Sequence, residues 1–395
     1  MKIGLFTSIE GWGGSEIYLL TLMEGLRVAG HEPVLYGVEG TRLYEECRVC
    51  GIQRVAWKAV CEATEVAGRT KERADPGKSK ILAHGIRSLI PVSVRLLLGN
   101  IKEVRRLVRL FRQNPCDLMH VSVNGYELAG LACRSIGIPC LAWHCIMPVQ
   151  DRLWIRRWLI WWTNRHYDKI GGMSKTCVDA WLKWCRLDEA RCCWAWNGID
   201  VNRFRTETNS RRLDGKPFVI LAIGRLHPMK GFNLLIRALS NLKDKEVVLR
   251  IAGEGAQDKE LQSLAANLGE DERVEFLGHQ DDVHSLYRHA SCFVLPSVSH
   301  ESFGIVLAEA MASGLPIITS DFGPLPEINI DGETGIVVAA GDSTALARAI
   351  RYLVDHPDKS KKFGRNGVKR AIECFSRERM VESMLRIYLE LVKAK

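Results

Sequence analysis

Phe218-Val219-Ile220-Leu221-Ala222-Ile223-Gly224-Arg225-Leu226-His227-Pro228-Met229-Lys230-Gly231 is an unbroken apolar run that opens into a basic loop bounded by glycines. A short, continuous apolar run followed by turn residues reads as a strand buried on both faces, the kind found in parallel sheets. Residues 232–242 then take up a helical periodicity, so strand, loop and helix form one βα unit. Apolar runs at residues 247–252, 274–277, 292–295 and 316–319 repeat the strand signal. On the N-terminal side, residues 2–8, 33–36, 117–121 and 139–144 read as strands and residues 15–29 as a helix. Strands alternating with helices predict an α/β protein with two Rossmann-like parallel-sheet units. Right-handed crossovers place its chemistry in the loops after the strands.

The chain has 395 residues, too many for one ordinary core and enough for two domains. The expected division is residues 1–200 and 201–375, with a C-terminal helix at about 376–395 packing back onto the first domain. The polar, Arg-rich residues 202–216 separate the two series, residues 64–80 read as a surface loop, and residues 344–356 and 379–393 have helical patterns. A hydrophobic share of 47% with 26% charged residues excludes a disordered or collagen-like chain. The opening MKIGLFTS is too short for a secretory h-region, and no apolar run approaches a membrane-spanning length. Thirteen scattered cysteines suit reduced thiols, and Cys47-x-x-Cys50 lacks a second pair at zinc-ligand spacing even with Cys61 near it. The expected location is the cytoplasm. A net charge of +9 favours anionic partners such as nucleotide phosphates or acidic headgroups.

Three loops carry groups suited to chemistry. Gly11-Trp12-Gly13-Gly14-Ser15-Glu16 follows a strand and opens a helix, where free amides and the helix dipole favour an anion, although a plain tight turn reads equally from these residues. Arg225 and Lys230 flank the loop quoted above. Aimed at a departing diphosphate they would stabilise its growing charge; on an exposed loop they would be a solvated pair. Glu301-Ser302-Phe303-Gly304-Ile305-Val306-Leu307-Ala308-Glu309 runs from a loop into a helix. Its two acids would lie about 80° out of phase on one helix, so Glu301 is expected to precede it. Glu301 is then placed to meet a polyol and a phosphate beside the free first-turn amides, and Glu309 to accept the hydroxyls of a ribose. Two solvated carboxylates are the other reading.

Taken in order, Gly13-Gly14-Ser15-Glu16, Asn197-Gly198-Ile199-Asp200 with Arg203-Phe204, Gly224-Arg225-Leu226 with Lys230-Gly231, Glu301 through Glu309, and Asp331-Gly332-Glu333-Thr334-Gly335 resemble the retaining glycosyltransferase family 4, the glycosyl transferases group 1. The match covers nearly the whole chain, and the Glu-x7-Glu segment followed by Ala310-Met311-Ala312-Ser313-Gly314-Leu315-Pro316 is its most specific part. The resemblance implies the GT-B fold, two domains facing a central cleft, with the donor held by the C-terminal domain and the acceptor by the N-terminal one. It implies that Arg225 and Lys230 bind the diphosphate, that Glu309 holds the ribose, and that Glu301 and the segment Ser302, Phe303, Gly304 and Ile305 hold sugar and phosphate. Gly278 would lie near the base and Gly14 near the leaving phosphate. His144 falls where the family places a His near the transferred sugar; Cys145 stands next to it where the family often has an acid, and Pro324 replaces a glycine common after Gly323.

No Asp-x-Asp occurs in the sequence, so no cofactor or metal is expected and the two cations are left to neutralise the phosphates. The resemblance implies a retaining transfer from a UDP- or GDP-sugar in which the leaving phosphate helps deprotonate the acceptor. The setting would be cell-surface polysaccharide, lipopolysaccharide or glycolipid synthesis. Residues 101–111 place Ile101, Val104, Val108 and Phe111 on one stripe with Lys102, Arg105, Arg106, Arg109 and Arg112 on the other side, and Arg152-Leu153-Trp154-Ile155-Arg156-Arg157-Trp158 adds further cations and aromatics. Either these are ordinary crossover helices, or they hold the protein peripherally on an anionic membrane face that presents a lipid-linked acceptor; a free saccharide acceptor suits the first case. Nucleic acid is not an expected partner, since no recognition fold accompanies the charge. Rival functions are an inactive sugar-nucleotide scaffold, an epimerase and a phosphorylase of the same architecture.

Overall fold

The computed structural model describes residues 1–57, 92–123, 128–148, 154–205, 217–242 and 246–394. The loop expected at residues 64–80, Cys61 and most of residues 202–216 lie outside them.

Largely apolar strands, the central ones buried on both faces, build two sheets. The first contains β1 (Lys2–Phe6), β2 (Glu32–Val38), β3 (Gln53–Trp57), β4 (Leu118–Val123), β5 (Cys140–His144), β6 (Lys169–Gly172) and β7 (Cys192–Trp194), in the order β3-β2-β1-β4-β5-β6-β7. The second contains β8 (Phe218–Ile223), β9 (Val247–Ala252), β10 (Val274–Gly278), β11 (Cys292–Leu295), β12 (Ile317–Ser320) and β13 (Gly335–Val338), in the order β10-β9-β8-β11-β12-β13. Every pairing is parallel, the arrangement that crossover connections give. The strand order reverses at β1/β4 and again at β8/β11. In doubly wound sheets the crevice outside the strand C-termini opens at such a reversal, so the loops after β1, β8 and β11 are the ones positioned to hold a ligand.

Expected and observed strands coincide where the run is apolar and central, at β8, β9 and β11. The sequence reading did not find β3, β6, β7 or β13. The basic helix spans Val92–Gln113, longer than expected, and its phase differs. Leu107 and Phe111 are its buried anchors, while Ile101 is exposed and Arg106 lies over the Trp57 ring, 4.8 Å from its centroid. A guanidinium on an aromatic face is drawn to the inner side of a helix, which rotates the stripe away from Ile101.

The helix Arg377–Lys393 returns to the first sheet. It packs on the helix Gly14–Val28, where a Cβ on Gly25 would lie 2.4 Å from Val381 Cγ2; glycine alone permits this approach. Tyr388 OH bonds His120 Nδ1 at 2.8 Å, and Tyr18 stacks on Trp143. The chain passes between the sheets at two places that lie side by side, with Ile199 N donating to Phe375 O and Arg377 N to Ile199 O, both at 2.9 Å. One apolar cluster runs through both halves, joining Tyr18 and Trp143 to Leu221, Phe293, Phe303 and Met380.

Candidate active site

The loop after β8 closes on a single turn, Pro228–Lys230, whose proline is set at the start of the turn and whose His227 ring accepts from Met229 N. Gly231 follows with φ 68°, and a Cβ there would sit 2.2 Å from Pro296 O. The glycine therefore lets this loop lie directly on the loop after β11, to which it is also tied by Val298 N donating to Met229 O at 2.8 Å. The result is a close charge pair: Lys230 Nζ stands 2.6 Å from Glu301 Oε2, and Ser297 Oγ donates to the same oxygen at 3.1 Å. Both charged side chains are largely withdrawn from water, so each fixes the other's position.

Glu301 precedes the helix Ile305–Ala312, as its phase requires. That helix begins at Gly304 with φ 89° and no side-chain cap, which leaves its first amides to whatever anion approaches. Glu309 lies inside the helix and is buried. Tyr287 OH donates to its Oε2 at 2.8 Å and to Val306 O at 3.2 Å. Burial raises the Glu309 carboxyl to about 7, against the opposing pull of the Tyr287 hydrogen bond and the Arg203 guanidinium.

The loop after β1 meets this helix start from the other sheet. A Cβ on Gly14 would lie 3.7 Å from Ile305 Cδ1. Glu16, two residues on, is buried with Oε1 unpartnered; burial raises its carboxyl, and the backbone amides of Glu16 and Gly13 and the exposed Arg225 act against that rise. Ser302 Oγ donates to Cys145 O at 2.7 Å, Ser174 Oγ to Ser302 O at 3.1 Å, and Glu327 accepts from the amides of Thr176 at 2.6 Å and Lys175 at 3.2 Å.

The structure thus gathers Lys230, Glu301, Gly304, Ile305 and Gly14 in one place, with Arg225 at the rim beside Glu16. Gly278 ends β10 with φ 64° and open space around its Cβ position. Phe303 contributes its ring to the core, against Phe375. The His144 ring is fully buried, bonded through Nε2 to Asn164 Oδ1 at 3.1 Å and stacked 4.1 Å from Trp181, and burial lowers it to about 4. The Ser302 hydroxyl donates to Cys145 O across the cleft. Ser297, Tyr287, Ser174 and Glu327 were not found in the sequence, where isolated Ser, Tyr and Glu carry no signal.

The family model of Glycosyltransferase Family 4 matches residues 12–203 and that of Glycosyl transferases group 1 matches residues 204–370. The chain belongs to glycosyltransferase family 4. Over 217 residues it is 34% identical to the D-inositol 3-phosphate glycosyltransferase of Streptomyces avermitilis, an alignment covering 50% of this chain and 46% of that one. Over 178 residues it is 35% identical to the lipopolysaccharide core biosynthesis glycosyltransferase LpsE of Rhizobium meliloti, covering 45% and 50%. The chain spans about half the length of the curated relatives it matches. Among solved structures, Anabaena HepE in complex with UDP superposes with a TM-score of 0.78 at 20% identity, over 99% of this chain and 100% of that one. This likeness shows the GT-B fold.

The chain also carries a basic surface on its first half. Arg105, Arg109 and Arg112 of the helix Val92–Gln113 line one depression that reaches Ser135, and from Ser135 a second runs past Arg134 to Trp161 and Trp162 of the helix Trp154–Asn164. Arg165 lies over the Trp161 ring at 4.8 Å, and Trp158 is exposed. Among the described residues no helix is long and apolar enough to cross a membrane, and no group of three or more His, Cys, Asp or Glu could hold a metal ion. The described cysteines are free thiols; burial pushes Cys47 up to about 12 and Cys50 up to about 11.

Proposed function

We propose that the protein transfers a sugar from a UDP- or GDP-sugar to an acceptor hydroxyl, retaining the anomeric configuration and using no metal ion. The observation that carries this reading is the Lys230–Glu301 pair beside the uncapped start of the helix Ile305–Ala312. A diphosphate placed there meets a fixed ammonium, free amides and the Arg225 guanidinium, which together stabilise the charge that appears as the leaving group departs. Glu309 and its Tyr287 partner suit a ribose, and Glu301 suits sugar hydroxyls. The bond from the anomeric carbon to the phosphate oxygen breaks with its electron pair going to the diphosphate. The acceptor oxygen bonds to the same face of the carbon, and its proton passes to a phosphate oxygen. UDP in the HepE structure supports a uridine nucleotide as the first donor to try.

The acceptor in this reading is lipid-linked or saccharide, within cell-surface polysaccharide, lipopolysaccharide or glycolipid synthesis, a setting that the name of LpsE supports. The joined basic and aromatic depressions favour an acceptor held at an anionic membrane surface, because arginines and tryptophans together suit a headgroup layer.

A thermal-shift screen of UDP- and GDP-sugars followed by nuclear magnetic resonance of the product tests the proposal. The expected result is stabilisation by one donor, nucleotide release that requires an acceptor and survives chelator, and a product with the donor's anomeric configuration. Conversion of the donor sugar to its epimer without nucleotide release would identify an epimerase. Binding with no turnover would identify a scaffold, and turnover that depends on inorganic phosphate a phosphorylase.

A further inference from the structure

We propose that Glu327 is a positioning residue which, with Ser302, clasps the two halves of the molecule in the arrangement that lets the donor site work; this rests on the functional reading above. Glu327 belongs to the second half. Its main chain is held there by Arg370, whose guanidinium donates to Glu327 O at 2.5 Å and Ile328 O at 2.8 Å. Its carboxylate leaves that half and accepts from the amides of Thr176 and Lys175 at 2.6 and 3.2 Å. These are the first two residues of the helix Lys175–Cys185, where amides lack partners within the helix and the dipole favours a negative group. The contact joins a charged acceptor fixed to one sheet with paired donors fixed to the other, so it exists only while the halves are together.

A second strand of the clasp starts one residue before that helix. Ser174 Oγ accepts from Cys177 N at 3.1 Å and donates to Ser302 O at 3.1 Å, and Ser302 Oγ in turn donates to Cys145 O at 2.7 Å. Ser302 is adjacent to Glu301, which grips Lys230, and a Cβ on Gly323, four residues before Glu327, would lie 3.3 Å from Glu301 O. The stretch that faces the donor is therefore the stretch that holds the other half. Parting the halves frees Ser302, loosens Glu301 and moves the Gly14 loop away from Ile305. Glu327 touches no reacting atom in this scheme; it acts through the placement of residues 301–305.

The test uses the full chain and the variants Glu327→Gln, Glu327→Ala and Ser302→Ala, each checked for folding by melting. Without any sugar nucleotide, Glu327→Ala should show faster amide hydrogen exchange at Lys175 and Thr176 and a larger radius of gyration in X-ray scattering. Glu327→Gln keeps one acceptor but loses the charge and should fall between it and the parent. With a working donor, kcat should drop roughly 10-fold or more in Glu327→Ala, with the affinity for UDP, read by calorimetry, changing far less. A folded Glu327→Ala protein with parental exchange and scattering overturns the clasp, and so does opening that leaves kcat unchanged. If Glu327→Ala does not fold, Ser302→Ala decides: parental exchange at Lys175 and Thr176 overturns the proposal, and faster exchange there supports it. Exchange and scattering need no catalysis, so absence of turnover in the parent defeats the enzymatic reading while these two measurements still judge the clasp.

Discussion

Glu309 sits where a carboxyl is costly to ionise, and burial raises it from 4.5 to about 7. A carboxyl raised in the folded state contributes stability that is fully present below its unfolded value and is lost as pH rises through the folded one. The shift corresponds to roughly 3 kcal/mol. Urea unfolding at pH 8 should therefore find Glu309→Gln more stable than the parent, with the gap closing toward pH 4; an equal gap at both pH values would contradict the raised carboxyl. Kinetics separates the same residue from Lys230. A ribose is unchanged during transfer, so Glu309→Ala should raise the donor KM more than it lowers kcat. Lys230 faces growing phosphate charge, and Lys230→Ala should lower kcat roughly 10²–10³-fold. A Lys230→Ala enzyme with normal kcat would show that the ammonium binds without catalysing. Lys230 and Glu301 were legible as candidates because a cation in a glycine-bounded loop and an acid ahead of a helix fall in order within the motifs that resemble family 4. Ser297 and Tyr287 were not, since their importance lies in partners that only the folded chain supplies. Nor does anything in residues 139–144 announce that Trp181 stacks on the His144 ring.

At the level of elements, Gly231 decides whether two loops can touch. Its φ of 68° and the 2.2 Å approach of Pro296 O to a Cβ position mean that Gly231→Ala must strain the backbone and push the loop after β8 off the loop after β11. A loss of about 1–3 kcal/mol in urea unfolding should accompany reduced kcat, because Lys230 is carried away from Glu301; an alanine variant with parental stability and rate would remove this role from the glycine. The strands that the sequence revealed, β8, β9 and β11, are continuous apolar runs. Those it hid have physical reasons to be hidden. β3 alternates buried and exposed residues at its far end, β6 has four residues of which two are glycine, and β7 has three. Short strands, at the edge or next to it, are fixed by their neighbours more than by their own composition. The basic helix was visible as a helix, but its phase was set by Leu107, Phe111 and the Trp57 ring, and Trp57 belongs to one of the strands that went unseen.

For the molecule as a whole, the two-unit α/β plan was readable because each half repeats the same strand-loop-helix grammar, whereas the cross-cleft bonds of Ser302 and Glu327 were not, being set by how the halves meet. The basic surface gives a prediction at this scale. In vesicle flotation at low salt, binding to phosphatidylglycerol membranes and not to neutral ones is expected, and replacing Arg105, Arg109 and Arg112 with alanine should weaken it roughly 100-fold. Protein that stays unbound in both cases would leave the acceptor to be met in solution. The helix Arg377–Lys393 has a consequence of another kind. It covers Tyr18 and His120 of the first half, yet 182 residues, 195 to 376, lie between β7, the last strand of the first sheet, and that helix. At ordinary rates of translation they take roughly 10–40 s to make. For that interval the nascent first sheet stands on the ribosome with an apolar flank unroofed, a natural place for a chaperone to bind and a reason to expect that chains broken off before residue 377 aggregate instead of leaving a usable half.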